Sequence, residues 1–159
     1  MRLCSGQAFS ELRVDGQEPL FVSGVDIEVA FYAIQLPEWL RPYFCLAPVA
    51  ARRLGVTEID GKPVQGTDLV YPQLAVCPMG WNLALWICQT LHEDIAERVK
   101  GVDDSTRLVA RRPAPGLVPF AHTEYVDNFV ALSRAAPDAT RAAQDVEKAL
   151  NEVGLPTHG

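Results

Sequence analysis

The fold can be inferred outward from LFVSGVD, residues 20–26, which are followed by AFYAI at residues 30–34. The first segment is rich in β-branched and aromatic residues, so it predicts a strand that ends on Asp26. The second segment predicts a short helix. An acid is therefore expected at the end of a rigid strand, where its position is well defined.

A second acid occupies a comparable place near residue 127. Residues 117–126 lead into a strand, Asp127 and Asn128 interrupt it, and residues 129–132 resume it. Two apolar runs separated by two turn-forming residues predict a β-hairpin. Asp127 is therefore expected at the turn of this hairpin.

Two helices are expected to support these strands. The first covers residues 83–99 and has an apolar residue at every fourth position, which predicts one buried stripe: Leu83, Ile87, Leu91, Ile95 and Val99, with Ala84 and Cys88 beside them. The second runs from Pro137 to Gly154, and one face carries Ala142, Val146, Ala149 and Val153. Each helix has an apolar face that can pack on a sheet.

The middle of the chain is less regular. Residues 43–47, 69–71 and 74–76 have strand character, and residues 50–68 predict a hairpin or loop excursion that turns at Asp60-Gly61. The element order is roughly β-β-excursion-β-α-β-β-α. This order predicts a single α+β domain with a small antiparallel sheet backed by two helices.

Composition and charge restrict the class of protein. The chain has 159 residues, 48% hydrophobic and 21% charged, which excludes a disordered tail, a collagen-like repeat and a coiled coil. Fourteen Lys and Arg against twenty Asp and Glu give a net charge of -6, which excludes a domain that grips nucleic acid by charge alone. No apolar run is long enough to predict a membrane helix or a signal peptide. A soluble intracellular protein is expected, with nucleus and cytoplasm both left open.

The remaining chemical signals are few. The cysteines lack paired spacing, so neither a zinc site nor a disulfide framework is predicted and the thiols are expected to be reduced and structural: Cys4, Cys45, Cys77 and Cys88. Asp26 and Asp127 are the strongest candidates for chemistry. Two carboxylates from adjacent strands can hold Mg²⁺, because hard cations prefer oxygen ligands. The competing interpretation is that an acid in a hairpin turn only forms the turn.

Four segments in order resemble the catalytic motifs of reverse transcriptases. VDIEVAFY at residues 25–32, followed by Leu36-Pro37, is similar to the first motif. PMGWN at residues 78–82 resembles the second and YVDNF at residues 125–129 the third, while the helix ending near Leu150, with Gly154-Leu155 after it, resembles the start of the fourth. The resemblance covers about residues 20–156 and is greatest to enzymes of retrotransposons.

This resemblance implies a polymerase palm, a ferredoxin-like sheet with two helices, and a function as RNA-directed DNA polymerase. Asp26 and Asp127 would be catalytic and would bind two Mg²⁺ ions, or Mn²⁺, together with the Ile27 carbonyl and Asn128. A further set of residues would contact the nucleotide: Phe31, Tyr32, Met79, Gly80 and Gln89. Within this set the Phe31 ring would block a ribose 2′-hydroxyl, so the enzyme would select deoxynucleotides.

The match departs from the family at Asn128, which replaces the second acid of the third motif and implies weaker metal binding. By the same resemblance, residues 1–159 form one partial domain, a palm with a fingers-like excursion at residues 48–75, without thumb or ribonuclease H domain. The expected partners are a primed RNA or DNA template, deoxynucleoside triphosphates and the missing thumb and fingers segments of a larger polyprotein, with no membrane. The alternative is a catalytically inactive palm remnant or an interaction module.

Overall fold

An antiparallel sheet and two long helices form the main body of the computed structural model, which describes residues 3–12 and 18–159. The elements follow in chain order as α1 (Gly6–Ser10), β1 (Phe21–Ile27), α2 (Ala30–Ala33), a 3₁₀ helix (Glu38–Phe44), β2 (Val49–Ala50), α3 (Ala51–Leu54), β3 (Glu58–Ile59), β4 (Lys62–Pro63), β5 (Leu69–Val70), α4 (Ala84–Ala96), β6 (Ala121–Tyr125), β7 (Asn128–Ser133), α5 (Ala136–Glu152) and β8 (Thr157–His158).

The main sheet has four strands in the order β6-β7-β1-β8, and all neighbours are antiparallel. Strand β1 pairs with β7 from Phe21 opposite Ser133 to Asp26 opposite Asn128. Strand β8 adds a short edge, with His158 opposite Asp26. The prediction of an α+β fold with an antiparallel sheet is confirmed.

One face of the sheet packs against α4 and α5. Because side chains alternate along a strand, Val25 and Ile27 of β1 share this face, and Phe129 of β7 joins them. Val146 and Leu150 of α5 are fully buried against it. Each such side chain contributes about 1.5–3 kcal/mol by leaving water, so this layer holds the sheet and helices together.

The opposite face is covered only in part. Segment 3–12 and the loop after α4 form a second cluster with the outer residues of β6 and β7, whose buried members are Cys4, Ala8, Leu108, Leu117, Ala121 and Leu132. At the end of the sheet where Asp26 pairs with Asn128, the neighbouring Val25, Ile27 and Phe129 belong to the main cluster. Asp26 itself is partly exposed and Asn128 is exposed, so these two side chains are accessible.

The excursion forms two small sheets of its own. Strands β2 and β5 pair with each other, and β3 and β4 form a hairpin around Asp60 and Gly61, which both have positive φ. A turn with two positive φ angles suits Asp-Gly, so the predicted hairpin is confirmed.

Two predicted strands were wrong. Tyr43 and Phe44 belong to the 3₁₀ helix, which contains Pro42, and of the remaining three residues Cys45 makes a single bridge to Gln73. Residues 74–76 contribute only a bridge between Gln35 and Val76. Pro42 and Pro48 flank the first segment, and Pro72 and Pro78 lie two residues from the second, so neither run can extend into a regular ladder and its apolar composition was misleading.

Helix α4 was predicted correctly, and its buried face was predicted in part. Ile95 of the predicted stripe and the adjacent Ala84 and Cys88 are buried, whereas Leu83 and Leu91 are 47% and 39% exposed. The buried face also carries Gln89, His92 and Ala96. Gln89 and His92 can be buried because their polar atoms bond to the hairpin backbone.

In α5, Ala142 and Val146 are buried as predicted, whereas Val153 lies beyond the helix and is 49% exposed. Among the described residues, no helix has both the length and the apolar composition needed to cross a bilayer.

A buried ion-pair network attaches the loop after α4 to strand β6. Arg107 Nε lies 2.9 Å from Glu124 Oε2, and His122 Nδ1 lies 3.1 Å from Glu124 Oε1. Arg107 also approaches Glu97, with 3.0 Å between Nη2 and Oε1. Burial raises the pKa of Glu124, but the hydrogen bond and charge of His122 and the charge of Arg107 outweigh it, so the pKa lies below its ordinary value of 4.5.

We expect Glu124→Gln to lower the free energy of unfolding at pH 7 by about 3–5 kcal/mol, because Arg107 loses its buried counter-charge. The depressed pKa of Glu124 adds stability that is complete above pH 4.5 and is lost as the pH falls through the lower folded value. The variant should therefore lose less stability on acidification below pH 4.5. Urea unfolding at a series of pH values measures both effects.

The control is Asp94→Asn, which breaks an exposed ion pair with Arg98 and should cost under about 1 kcal/mol. If the free energy of unfolding falls equally steeply with pH in wild type and Glu124→Gln below pH 4.5, the ionisation of Glu124 in the folded protein is contradicted.

Candidate functional site

The register of β1 and β7 gathers the predicted metal ligands at one end of the main sheet. Asp26 lies directly opposite Asn128, and the Ile27 amide donates a hydrogen bond of 2.8 Å to the Asp127 carbonyl. Asp26, Ile27, Asp127 and Asn128 are therefore neighbours, although they lie about a hundred residues apart in sequence.

Asp127 lies in a two-residue turn, because Tyr125 pairs with Asn128 across the hairpin. The first residue of the turn, Val126, has a φ of 59°. This left-handed conformation normally favours glycine, and for a β-branched residue it costs about 1–3 kcal/mol. The surrounding structure must hold Val126 in this state.

Three buried side chains of α4 hold Val126, and we call Cys88, Gln89 and His92 the α4 clamp. Gln89 Oε1 accepts a hydrogen bond of 2.7 Å from the Val126 amide. His92 Nδ1 lies 3.1 Å from the Val126 carbonyl oxygen, and Cys88 Sγ donates to the same oxygen at 3.5 Å. Both backbone polar groups of Val126 are thus bonded to the helix.

The thiol in this clamp is a donor and not a nucleophile. Burial raises the pKa of Cys88 to about 11, and the nearby charge of Asp127 adds to this effect. The thiol is therefore protonated at neutral pH. All four cysteines of the chain are free, and Cys45 is the exposed one.

The two acids have protein partners of their own. The Asn128 side-chain amide donates a hydrogen bond of 2.8 Å to Asp127 Oδ1. His158 Nε2 lies 3.6 Å from Asp26 Oδ2, and its Nδ1 lies 3.5 Å from Glu28 Oε1. Sequence reasoning missed Glu28 and His158, because only the pairing of the two-residue strand β8 with β1 brings them together.

The donors at this end suit a hard cation. Asp26 is 33% exposed at its side chain and faces a shallow cavity of about 250 Å³ that Asn128 and His158 also line. Across residues 3–12 and 18–159, no three His, Cys, Asp or Glu side chains are grouped closely enough to hold a metal by themselves. The predicted set instead combines two carboxylates with a backbone carbonyl and an amide oxygen, all of which are ligands that Mg²⁺ accepts.

The residues expected to contact a nucleotide differ in accessibility. Tyr32 and Met79 are exposed, and Gly80 lies in a turn with a φ of 93° and open space beside it. Phe31 is half-buried and packs against the main core. Gln89 is 1% exposed and its amide nitrogen also donates to Glu93 and to the Glu124 carbonyl, so it has no free polar atom for a nucleotide.

The sequence matches no protein-family model, and no curated protein shows significant similarity to it. The functional conclusion therefore depends on the residues themselves and on their arrangement.

We expect His92 to make the protein less stable in mild acid. Burial lowers the pKa of His92, although its bond to Val126 and the charges of Glu124, Asp127 and Glu93 oppose the shift. The unfolded chain binds a proton near the ordinary pKa of 6.5 and the folded chain binds it only at lower pH, so stability falls as the pH drops below 6.5. His92→Asn should flatten this dependence by up to about 1.4 kcal/mol per pH unit.

Thermal unfolding between pH 7.5 and about pH 5 measures the effect, with Thr90→Ala as the exposed, non-titrating control on the same helix. Parallel curves for wild type and His92→Asn would show that His92 does not titrate differently in the folded chain.

Proposed function

We propose that this chain is the palm of an RNA-directed DNA polymerase of a retroelement, which adds deoxynucleoside monophosphates to a primer 3′ end. The observation that carries the proposal is the register that sets Asp26 opposite Asn128, with Asp127 tied to the Ile27 amide beside them. It brings the acids of the first and third motif-like segments to one accessible end of the sheet.

The connectivity supports the same proposal. The main body runs β1-α4-β6-β7-α5-β8 with strand order β6-β7-β1-β8. This is a β-α-β-β-α-β arrangement of the ferredoxin-like type. It is the topology that the resemblance to polymerase palms implies, and residues 48–75 would correspond to part of the fingers.

In this proposal Asp26, Asp127, the Asn128 amide oxygen and the Ile27 carbonyl hold Mg²⁺ or Mn²⁺. When bound, the cation supplies Lewis acidity to the primer hydroxyl and neutralises the triphosphate charge. The protein contributes the fixed geometry of the acids, since strand pairing and the α4 clamp hold them in place before any ligand arrives.

The nucleotide would lie beside α2 and the turn before α4. Exposed Tyr32 and Met79 offer contact surface, and Gly80 allows close approach because it lacks a Cβ atom. Phe31 is held on one side by the core, so its ring is rigid enough to exclude a 2′-hydroxyl by contact. Gln89 supports the hairpin instead of contacting the nucleotide.

The second candidate is a catalytically inactive palm that persists as a folded module. The observation that favours it is the set of protein contacts on the acids: Asn128 donates to Asp127, and His158 lies beside Asp26. A site that satisfies its own carboxylates can fold without a cation. This candidate predicts the same fold with no metal response.

We expect Mn²⁺ and Mg²⁺ to raise the melting temperature of the wild-type chain, because binding to the folded state alone stabilises it. Asp26→Asn and Asp127→Asn should abolish the rise, since each removes a charged ligand. Asp145→Asn, which changes an exposed acid on α5, should respond like wild type. Thermal melts over a metal titration are the measurement.

If metal raises the melting temperatures of wild type and Asp26→Asn equally, or raises neither, the polymerase proposal is contradicted and the inactive palm is favoured. In that case Asp26→Asn should melt at the same or a higher temperature than wild type, because it relieves repulsion between acids. Salt-sensitive RNA binding that survives loss of both acids would indicate an interaction module instead.

A further inference from the structure

The α4 clamp is unusual because it bonds to both backbone polar groups of a single strained residue. The Val126 amide donates to Gln89, and the Val126 carbonyl oxygen is shared by His92 and Cys88. All three clamp residues are 2% exposed or less, so water does not compete for these bonds. The residue held in this way immediately precedes Asp127.

We propose that Gln89 and His92 are positioning residues, which set the direction of the Asp127 carboxylate by holding Val126 in the left-handed conformation. The inference rests on the proposed function only in treating Asp127 as a metal ligand. The control of the turn by α4 is a separate claim and can be tested by itself.

The backbone explains why a clamp on Val126 acts on Asp127. Rotation about φ of Val126 moves every following atom of the turn, and an unrestrained valine would relax to a negative φ. On the other side, the Asp127 carbonyl is fixed by the Ile27 amide at 2.8 Å. Asp127 is therefore held between helix α4 and the strand that carries Asp26.

The burial and hydrogen bonding of His92 indicate that this position carries a histidine because of its bond to Val126. His92 is fully buried, and its Nε2 has no hydrogen-bond partner among the described residues. A buried nitrogen without a partner destabilises the fold, so packing alone would favour an apolar side chain here. The ring contributes one useful polar contact, from Nδ1 to the Val126 carbonyl oxygen.

The test compares two polar, non-titrating replacements. In His92→Asn the amide nitrogen is attached to Cγ, as Nδ1 is in histidine, so the bond to Val126 can form. In His92→Gln the nitrogen is one bond further from the backbone and misses that position. Gln89→Met removes the other bonds at similar volume, and Thr90→Ala is the exposed control on the same helix.

Two measurements on the full chain separate the claims. Mn²⁺ affinity by electron paramagnetic resonance reports the site, and the three-bond HN–Hα coupling of Val126 together with amide exchange at Ile27 reports the turn. We expect His92→Gln and Gln89→Met to raise the Kd for Mn²⁺ about fivefold, which corresponds to the free energy of about one neutral hydrogen bond. Both variants should change the Val126 coupling constant and accelerate hydrogen exchange of the Ile27 amide. His92→Asn and Thr90→Ala should have the wild-type Mn²⁺ affinity, coupling constant and exchange rate.

Folded His92→Gln with wild-type Mn²⁺ affinity and unchanged Val126 coupling would overturn the inference. If His92→Gln does not fold, Gln89→Met is judged by the same two criteria. If wild type binds no Mn²⁺, the metal site of the proposed function fails. The positioning role is then decided by the Val126 coupling alone: a change in His92→Gln supports it, and no change refutes it.

Discussion

The antiparallel pairing of β1 with β7 is the constraint on which the rest of the structure depends. It joins segments about a hundred residues apart, and a slip of one residue would turn Asp26 from the accessible face into the core. The register is fixed from both sides of the sheet. Val25 and Phe129 face the helices, while Gly24 lies where a Cβ atom would come within 3.0 Å of the Phe129 carbonyl oxygen.

Local patterns in the sequence were sufficient for the elements that form this core. Strand β1, the hairpin at Asp127 and helices α4 and α5 are long or bounded by clear turn signals, so periodicity identified them. The strands predicted at residues 43–47 and 74–76 failed because short apolar runs between prolines cannot form a ladder. Strand β8 has two residues, and its pairing depends on a partner at the other end of the chain.

The site was predictable where it depends on strand ends and not where it depends on buried polar contacts. Asp26 and Asp127 could be selected because each follows a strand-like run. The α4 clamp could not, since Gln89 and His92 have polar side chains that a hydropathy pattern assigns to solvent. Their partners are backbone atoms of a remote turn, and such atoms are present at every residue of a sequence. The incomplete buried face predicted for α4 and the missed clamp have the same cause.

The contacts that the acids make within the protein bear on which proposed function the site can support. His158 and Asp26 are partly exposed and 3.6 Å apart, and contacts of this kind contribute about 0–1 kcal/mol. Asn128 and Asp127 are similarly exposed neighbours. A divalent cation that binds two carboxylates gains more than these contacts supply, so displacing them is a small obstacle. In the proposed polymerase these contacts would therefore yield to a cation, and the missing charge at Asn128 is the stronger reason to expect weak metal binding.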